Sequence, residues 1–142
     1  MNWLTSLLLY SCQNRRVIDK RTHGVLDHLT AAYFYILAGL FWGRHPRASF
    51  VALTNATMVT GLALFTDYPG ALRKVVPFET HGKLDLVQAA TASMLPTLLG
   101  FASDAAALPF ILQAGDEMVV VSVTDWTGEN EQEREEELRY AS

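Results

Sequence analysis

The sequence predicts an all-α membrane protein, a polytopic four-helix bundle made of two duplicated helix hairpins with a pseudo-two-fold axis along the membrane normal. Three observations predict it. The 142-residue chain is 50% hydrophobic and only 18% charged. Long windows within it carry no Asp, Glu, Lys or Arg. A short motif, THGVLD at 22–27, returns as THGKLD at 80–85. The same composition excludes other classes. A disordered chain would need low hydrophobicity and high charge. A general nucleic-acid binder needs a basic face, and the formal net charge here is -4. One cysteine provides neither a disulfide framework nor a Cys-rich zinc site.

The chain divides into four parts. Residues 1–16 read as an interfacial segment, with Trp3, Leu4, Leu7 and Leu8 at helical spacing ahead of Arg15 and Arg16. Residues 17–74 form a first two-helix repeat, whose spans are the charge-free windows 28–43 and 48–66. Nineteen helical residues cover roughly 28 Å, close to the hydrocarbon thickness of a bilayer. Residues 75–127 form the second repeat, with spans at 86–103 and from 105–115 onward. The last span is complete only if Asp116 and Glu117 lie inside the membrane. Residues 128–142 are an acidic tail holding Glu129, Glu131, Glu133, Glu135, Glu136 and Glu137.

Loop charges set an expected orientation. Arg15, Arg16, Lys20, Arg21, Arg73, Lys74, Lys83, Arg134 and Arg139 fall on one side of a four-span chain, and only Arg44 and Arg47 on the other. The excess of basic residues on cytoplasmic loops then puts both termini in the cytoplasm. The expected location is the inner, cytoplasmic membrane.

The repeat has an offset of 58. It carries Thr66-Asp67-Tyr68 onto Thr124-Asp125-Trp126, and Val17-Ile18 onto Val75-Val76. The THG motif opens the first helix of each unit and the T-D-aromatic motif closes the second. His23, Asp27, Asp67, His81, Asp85 and Asp125 are therefore expected together at one membrane face.

This order of a basic segment, H-G-x-L-D, two apolar spans, L-x-T-D-Y, a short basic loop, H-G-x-L-D and two more spans resembles the small bacterial membrane proteins with the SPW repeat. The second copy keeps Leu95-Pro96-Thr97-Leu98-Leu99-Gly100-Phe101, and the first has Leu40-Phe41-Trp42-Gly43. The Ser-Pro-Trp tripeptide is absent from both. The resemblance implies a multi-pass bacterial membrane protein without an established activity, and supplies no catalytic residues.

Several residues invite specific roles. Thr22 and Thr80 are expected N-caps. Gly24 and Gly82, and the GxxxG pair Gly39 and Gly43, are expected to allow close helix packing. His23 with Asp27 and His81 with Asp85 are spaced i, i+4, so each pair shares one helix face. Such a set can form a hydrogen-bonded polar layer, hold a metal ion such as zinc or iron, relay protons, or offer two axial histidines to a porphyrin. Asp67 and Asp125 oppose the dipole of the helices they end, so each is expected to accept from a histidine or basic residue of the same layer, His23 for Asp67 and His81 for Asp125 being the symmetric choice. Asp116 and Glu117, where the first copy has Met58 and Val59, are either an intramembrane ion or proton site or a pair that meets water.

No P-loop, Rossmann fingerprint, nucleophile elbow or HExxH is present. Enzymatic activity is thus left open, with a non-enzymatic role favoured. The expected function is a structural or accessory subunit of a larger membrane assembly, in contact with lipid and with a membrane protein partner or a second copy, and not with nucleic acid. The alternatives are a metal- or porphyrin-binding membrane protein using His23 and His81, and a proton-coupled carrier.

Overall fold

A computed structural model of the chain describes residues 17–128, together with 132, 136 and 138–140. The expected interfacial segment at 1–16 and most of the acidic tail lie outside the described residues. Helix α1 spans Lys20–Phe41, α2 Pro46–Phe65, α3 Phe78–Leu98, and α4 Leu108–Val123, preceded by a 3-10 turn at Ala105–Ala107.

Local chemistry explains the helix ends. Asp19 caps α1, its carboxylate accepting from the Thr22 backbone N–H at 2.8 Å. Thr22 is therefore in the first turn and is not the cap. Pro77 occupies the cap position of α3, so Thr80 is not the cap there either. A left-handed Gly43 (φ 77°) turns the chain out of α1, and Pro46 starts α2 where its missing N–H costs nothing. Gly100 (φ 70°) ends α3 in the same way.

Small residues let α1 and α2 approach closely. Ala31, Ala38, Ala48, Ala52 and Ala56 are buried, and the Ser49 hydroxyl donates to the Ala38 carbonyl at 2.8 Å. Phe34, Val51 and Phe110 fill the core between these helices and α4. Gly39 takes no part in this packing, since a Cβ there would meet nothing within 4 Å. Gly43 lies in the turn, so the GxxxG pair makes no close helix contact among the described residues.

The duplicated four-helix bundle expected from the sequence is not what is observed. Among the described residues there are five helices, counting the 3-10 turn. Three stretches are long and apolar enough to span a bilayer: Lys20–Phe41, Pro46–Phe65 and Ala105–Val123. Helix α3, expected as the third span, is not among them. His81, Lys83, Asp85 and Gln88 dilute its apolar run. The halves also differ in build, because α2 is continuous whereas its counterpart begins with a 3-10 turn before Pro109.

What does recur at the 58-residue offset is a set of contacts at the helix ends. The Ile18 N–H donates to Val123 O at 3.2 Å and the Asp125 N–H to Ile18 O at 2.8 Å. At the other pair of ends, Val76 donates to Phe65 O at 2.9 Å and Asp67 to Val76 O at 2.8 Å. Each pair forms an isolated parallel bridge, Ile18 with Thr124 and Val76 with Thr66. These bridges tie the start of α1 to the end of α4, and the start of α3 to the end of α2.

Candidate metal centre

With these ends fixed, α1 and α3 turn their His/Asp faces toward one another. His23 and Asp27 come from α1, His81 and Asp85 from α3, and all four are buried. His23 Nε2 lies 3.2 Å from Asp85 Oδ2 and 3.5 Å from Asp27 Oδ1. His81 Nε2 lies 3.0 Å from Asp27 Oδ2 and 3.1 Å from Asp85 Oδ2. One donor atom from each residue falls within a group no wider than 4.8 Å. The cluster is geometrically consistent with a metal-binding site. Four donors about 2.0–2.1 Å from a tetrahedral ion sit about 3.3 Å apart, within the spread of these contacts.

The far side of each imidazole explains its orientation. His81 Nδ1 is 2.6 Å from Thr66 Oγ1, and His23 Nδ1 is 3.1 Å from Thr124 Oγ1. Each threonine hydroxyl spends its proton on the carbonyl four residues back, Leu62 or Val120, at 2.7 Å. A hydroxyl has one proton, so toward histidine each oxygen acts as acceptor and each Nδ1 carries the donated hydrogen. This leaves Nε2 as the atom presented to the cluster, where a metal would need its lone pair. His81 Nε2 has no hydrogen-bond partner among the described residues, although two carboxylate oxygens stand close by.

Aromatic side chains close the cluster. The Tyr68 hydroxyl donates to Asp27 Oδ2 at 2.8 Å. Its ring packs against Gly24, where an added Cβ would be 2.9 Å from it. Trp126 covers Gly82 in the same way, 2.8 Å from such a Cβ, and its ring centroid is 4.8 Å from that of His23. Gly24 and Gly82 therefore make room for aromatic rings, not for neighbouring helices. Trp126 departs from Tyr68 in its polar contact, since its Nε1–H goes to the Val121 carbonyl at 3.0 Å and not to a carboxylate.

Charge is balanced inside this enclosure. Burial by itself lowers the affinity of His81 for a proton, but the adjacent Asp27 and Asp85 carboxylates outweigh it and raise His81 to about 9. Burial would push Asp85 up, yet His23 and His81 hold it below its ordinary range. Burial, reinforced by Asp27, pushes the Tyr68 hydroxyl far above its usual range, so it stays a donor.

The six-residue layer expected from the sequence is thus only partly assembled. Asp67 meets basic residues, as the opposed dipole requires, but not His23. It pairs with Lys20 and Lys74, each at 3.1 Å, and these lysines hold its carboxyl below the usual range. Asp125 does not meet His81, and accepts instead from the Thr127 hydroxyl at 2.8 Å. Tyr68, at the position equivalent to that of the half-buried Trp126, is fully buried. A porphyrin does not fit between the histidines. Their ring centroids are 5.2 Å apart, and the two carboxylates occupy the space facing both Nε2 atoms. Glu117 is buried beside Gln113 in α4, while Asp116 is exposed. Sequence reasoning missed the orienting role of Thr66 and Thr124. Their recurrence beside Asp67 and Asp125 was the available signal.

No family model, no curated protein and no solved structure matches the chain. The likeness to SPW-repeat proteins therefore rests on short motifs alone. What stands is a small all-helical protein with three candidate membrane-spanning helices and a buried two-histidine, two-aspartate cluster.

Proposed function

We propose that this protein is a membrane-embedded metal binder, holding one divalent transition-metal ion between His23, Asp27, His81 and Asp85. The observation that carries the reading is the direction of the imidazoles. Both Nδ1 atoms are committed outward to threonines, and both Nε2 atoms converge on two carboxylates. Each Nε2 lies 3.0–3.5 Å from an oxygen of both carboxylates, a spacing that ligands around one small ion also adopt. Two imidazoles and two carboxylates suit Zn²⁺, Mn²⁺ or Fe²⁺. Four protein donors fill a tetrahedral shell, which favours a structural or carried ion over a catalytic one with an open position.

The membrane location is supported by the outer helix faces. Ile36, Leu40, Phe50, Leu112 and Val119 are exposed there, apolar surface that a bilayer covers and water penalises. Lys20, Arg21, Arg73, Lys74 and Lys83 lie toward the end where the cluster sits, and this bias of basic residues supports a cytoplasmic side for that end.

Elemental analysis of the protein purified in mild detergent, beside the His23→Ala/His81→Ala double variant, tests the reading. Close to one equivalent of zinc, manganese or iron in the native protein, lost in the variant, is expected. An empty native protein that also fails to take up these ions when they are supplied would overturn it.

A further inference from the structure

The end of the molecule opposite the cluster holds the turn between α1 and α2 and the connection between α3 and α4. Of the lysines and arginines at 17–128, only Arg44 and Arg47 lie there. In a membrane protein they stand against the bias that gathers basic residues on the cytoplasmic side, so their placement needs a local reason. Both line a cavity of about 220 Å³, facing Phe101 and Asp104 from the α3–α4 connection. Arg47 is held across that gap. Its Nη1 donates to the Leu99 carbonyl at 3.1 Å and lies 3.5 Å from where a Cβ on Gly100 would stand. That bond uses one of five guanidinium hydrogens and leaves the rest of the fork for a phosphate. Neither the Arg44 guanidinium nor the Asp104 carboxylate has a hydrogen bond or ion pair among the described residues. One small wall thus offers both signs of charge.

An apolar groove of about 350 Å³ adjoins this cavity at Pro46, which belongs to both. Pro46, Ser49, Phe50 and Leu53 are spaced i, i+3, i+4 and i+7. The groove therefore follows one face of α2 for two turns, about 10 Å toward the middle of the span. Trp42 flanks it at the end of α1, 74% exposed, where amphipathic rings sit at a bilayer interface. A charged cavity at the helix end, continued by an apolar groove along the span, matches one amphiphile. A soluble anion would use the cavity and leave the groove. At the 58-residue offset Arg44 and Arg47 correspond to Ala102 and Ala105, so the equivalent positions carry no guanidinium.

We propose that this end of the protein binds one phospholipid with a primary-amine headgroup, of the phosphatidylethanolamine class. Arg44 and Arg47 hold its phosphodiester, Asp104 takes its ammonium, and one acyl chain lies along α2 beside Trp42 and Phe50. An anionic headgroup without the ammonium would leave Asp104 facing like charge. A choline headgroup offers Asp104 no N–H. The inference rests on the membrane location and is independent of the metal.

The test uses the full chain in mild detergent, titrated with phosphatidylethanolamine, phosphatidylglycerol or phosphatidylcholine of identical acyl chains. Native mass spectrometry counts the bound lipid. One phosphatidylethanolamine is expected to bind about fivefold more tightly than either of the others. Arg44→Gln/Arg47→Gln should weaken its binding about tenfold, as loss of charge-assisted hydrogen bonds does. Asp104→Asn should remove the preference over phosphatidylglycerol, and Phe50→Asn should weaken all three lipids alike. If the double variant fails to fold by thermal melt, the loss of preference in Arg44→Gln alone decides. Equal binding of the three lipids by the native protein, which means bulk bilayer contact only, would overturn the proposal. So would a preference for phosphatidylglycerol, or one for phosphatidylethanolamine that survives the loss of the arginines. Soluble glycerophosphoethanolamine binding as tightly as the lipid would also overturn it, because the groove would then contribute nothing.

Discussion

His81 Nδ1 and Thr66 Oγ1 are 2.6 Å apart, and the threonine proton is already committed to the Leu62 carbonyl. Thr124 does the same for His23 from the end of α4. Each histidine is thus oriented by a residue outside its own helix, and the isolated bridge beside each threonine holds that residue in place.

Replacing these threonines should therefore weaken metal binding without removing a ligand. Thr66→Val and Thr124→Val keep the shape and delete the acceptor. Each is expected to lower Zn²⁺ affinity by about 10–100-fold in competition titrations, the usual effect of losing an orienting partner. Each should also destabilise the metal-free protein by about 1–3 kcal/mol, since a buried N–H loses its acceptor. Unchanged affinity in both variants would show that the imidazoles are held by something else.

The pH response follows from His81, which is raised from 6.5 to about 9 in the folded protein. A raised imidazole contributes stability that is fully present below 6.5 and is lost as pH climbs through 9. The metal-free protein should accordingly melt at progressively lower temperature between these values. Metal affinity should move the opposite way across the same window, because a ligating nitrogen must first lose its proton. A metal-free melting temperature that rises over this range would contradict the charge balance described for the cluster.

The two buried glycines should respond unequally to alanine. At Gly24 the new Cβ would press on the ring of Tyr68, which is fully buried and bonded to Asp27. At Gly82 it would press on Trp126, which is only half-buried and can shift outward. Gly24→Ala is expected to cost about 1–3 kcal/mol by chemical denaturation, as overpacking does, and Gly82→Ala less. An equal or reversed order would show that the Tyr68 contact is not the rigid one.

The part of this site that was legible in the sequence is the part set by helical geometry. His23 with Asp27 and His81 with Asp85 fall on one face because four residues make about one turn, and the duplicated motif brought the two pairs to one end of the molecule. Partners that depend on chain reversal were not legible. Asp67 turned to Lys20 and Lys74 because its exposed position at the end of α2 lies among basic side chains, a proximity that spacing alone does not encode. Thr22 is not the cap because the helix begins almost a turn earlier, where the Asp19 carboxylate accepts from the Thr22 N–H itself. The fold was misjudged where charge-free length was taken for a span. In α3 the His81–Gln88 stretch belongs to the cluster and its surroundings, and its polarity leaves that helix less apolar than the other three candidates for crossing a membrane.

X-ray absorption at the zinc edge of the loaded protein tests the central claim most directly. A first shell of two imidazole nitrogens and two carboxylate oxygens at about 2.0–2.1 Å, with no sulfur, is expected. Imidazole scattering should vanish in the His23→Ala/His81→Ala variant. A shell of oxygen alone, or imidazole scattering that survives in that variant, would place the ion elsewhere and contradict the assignment of the cluster.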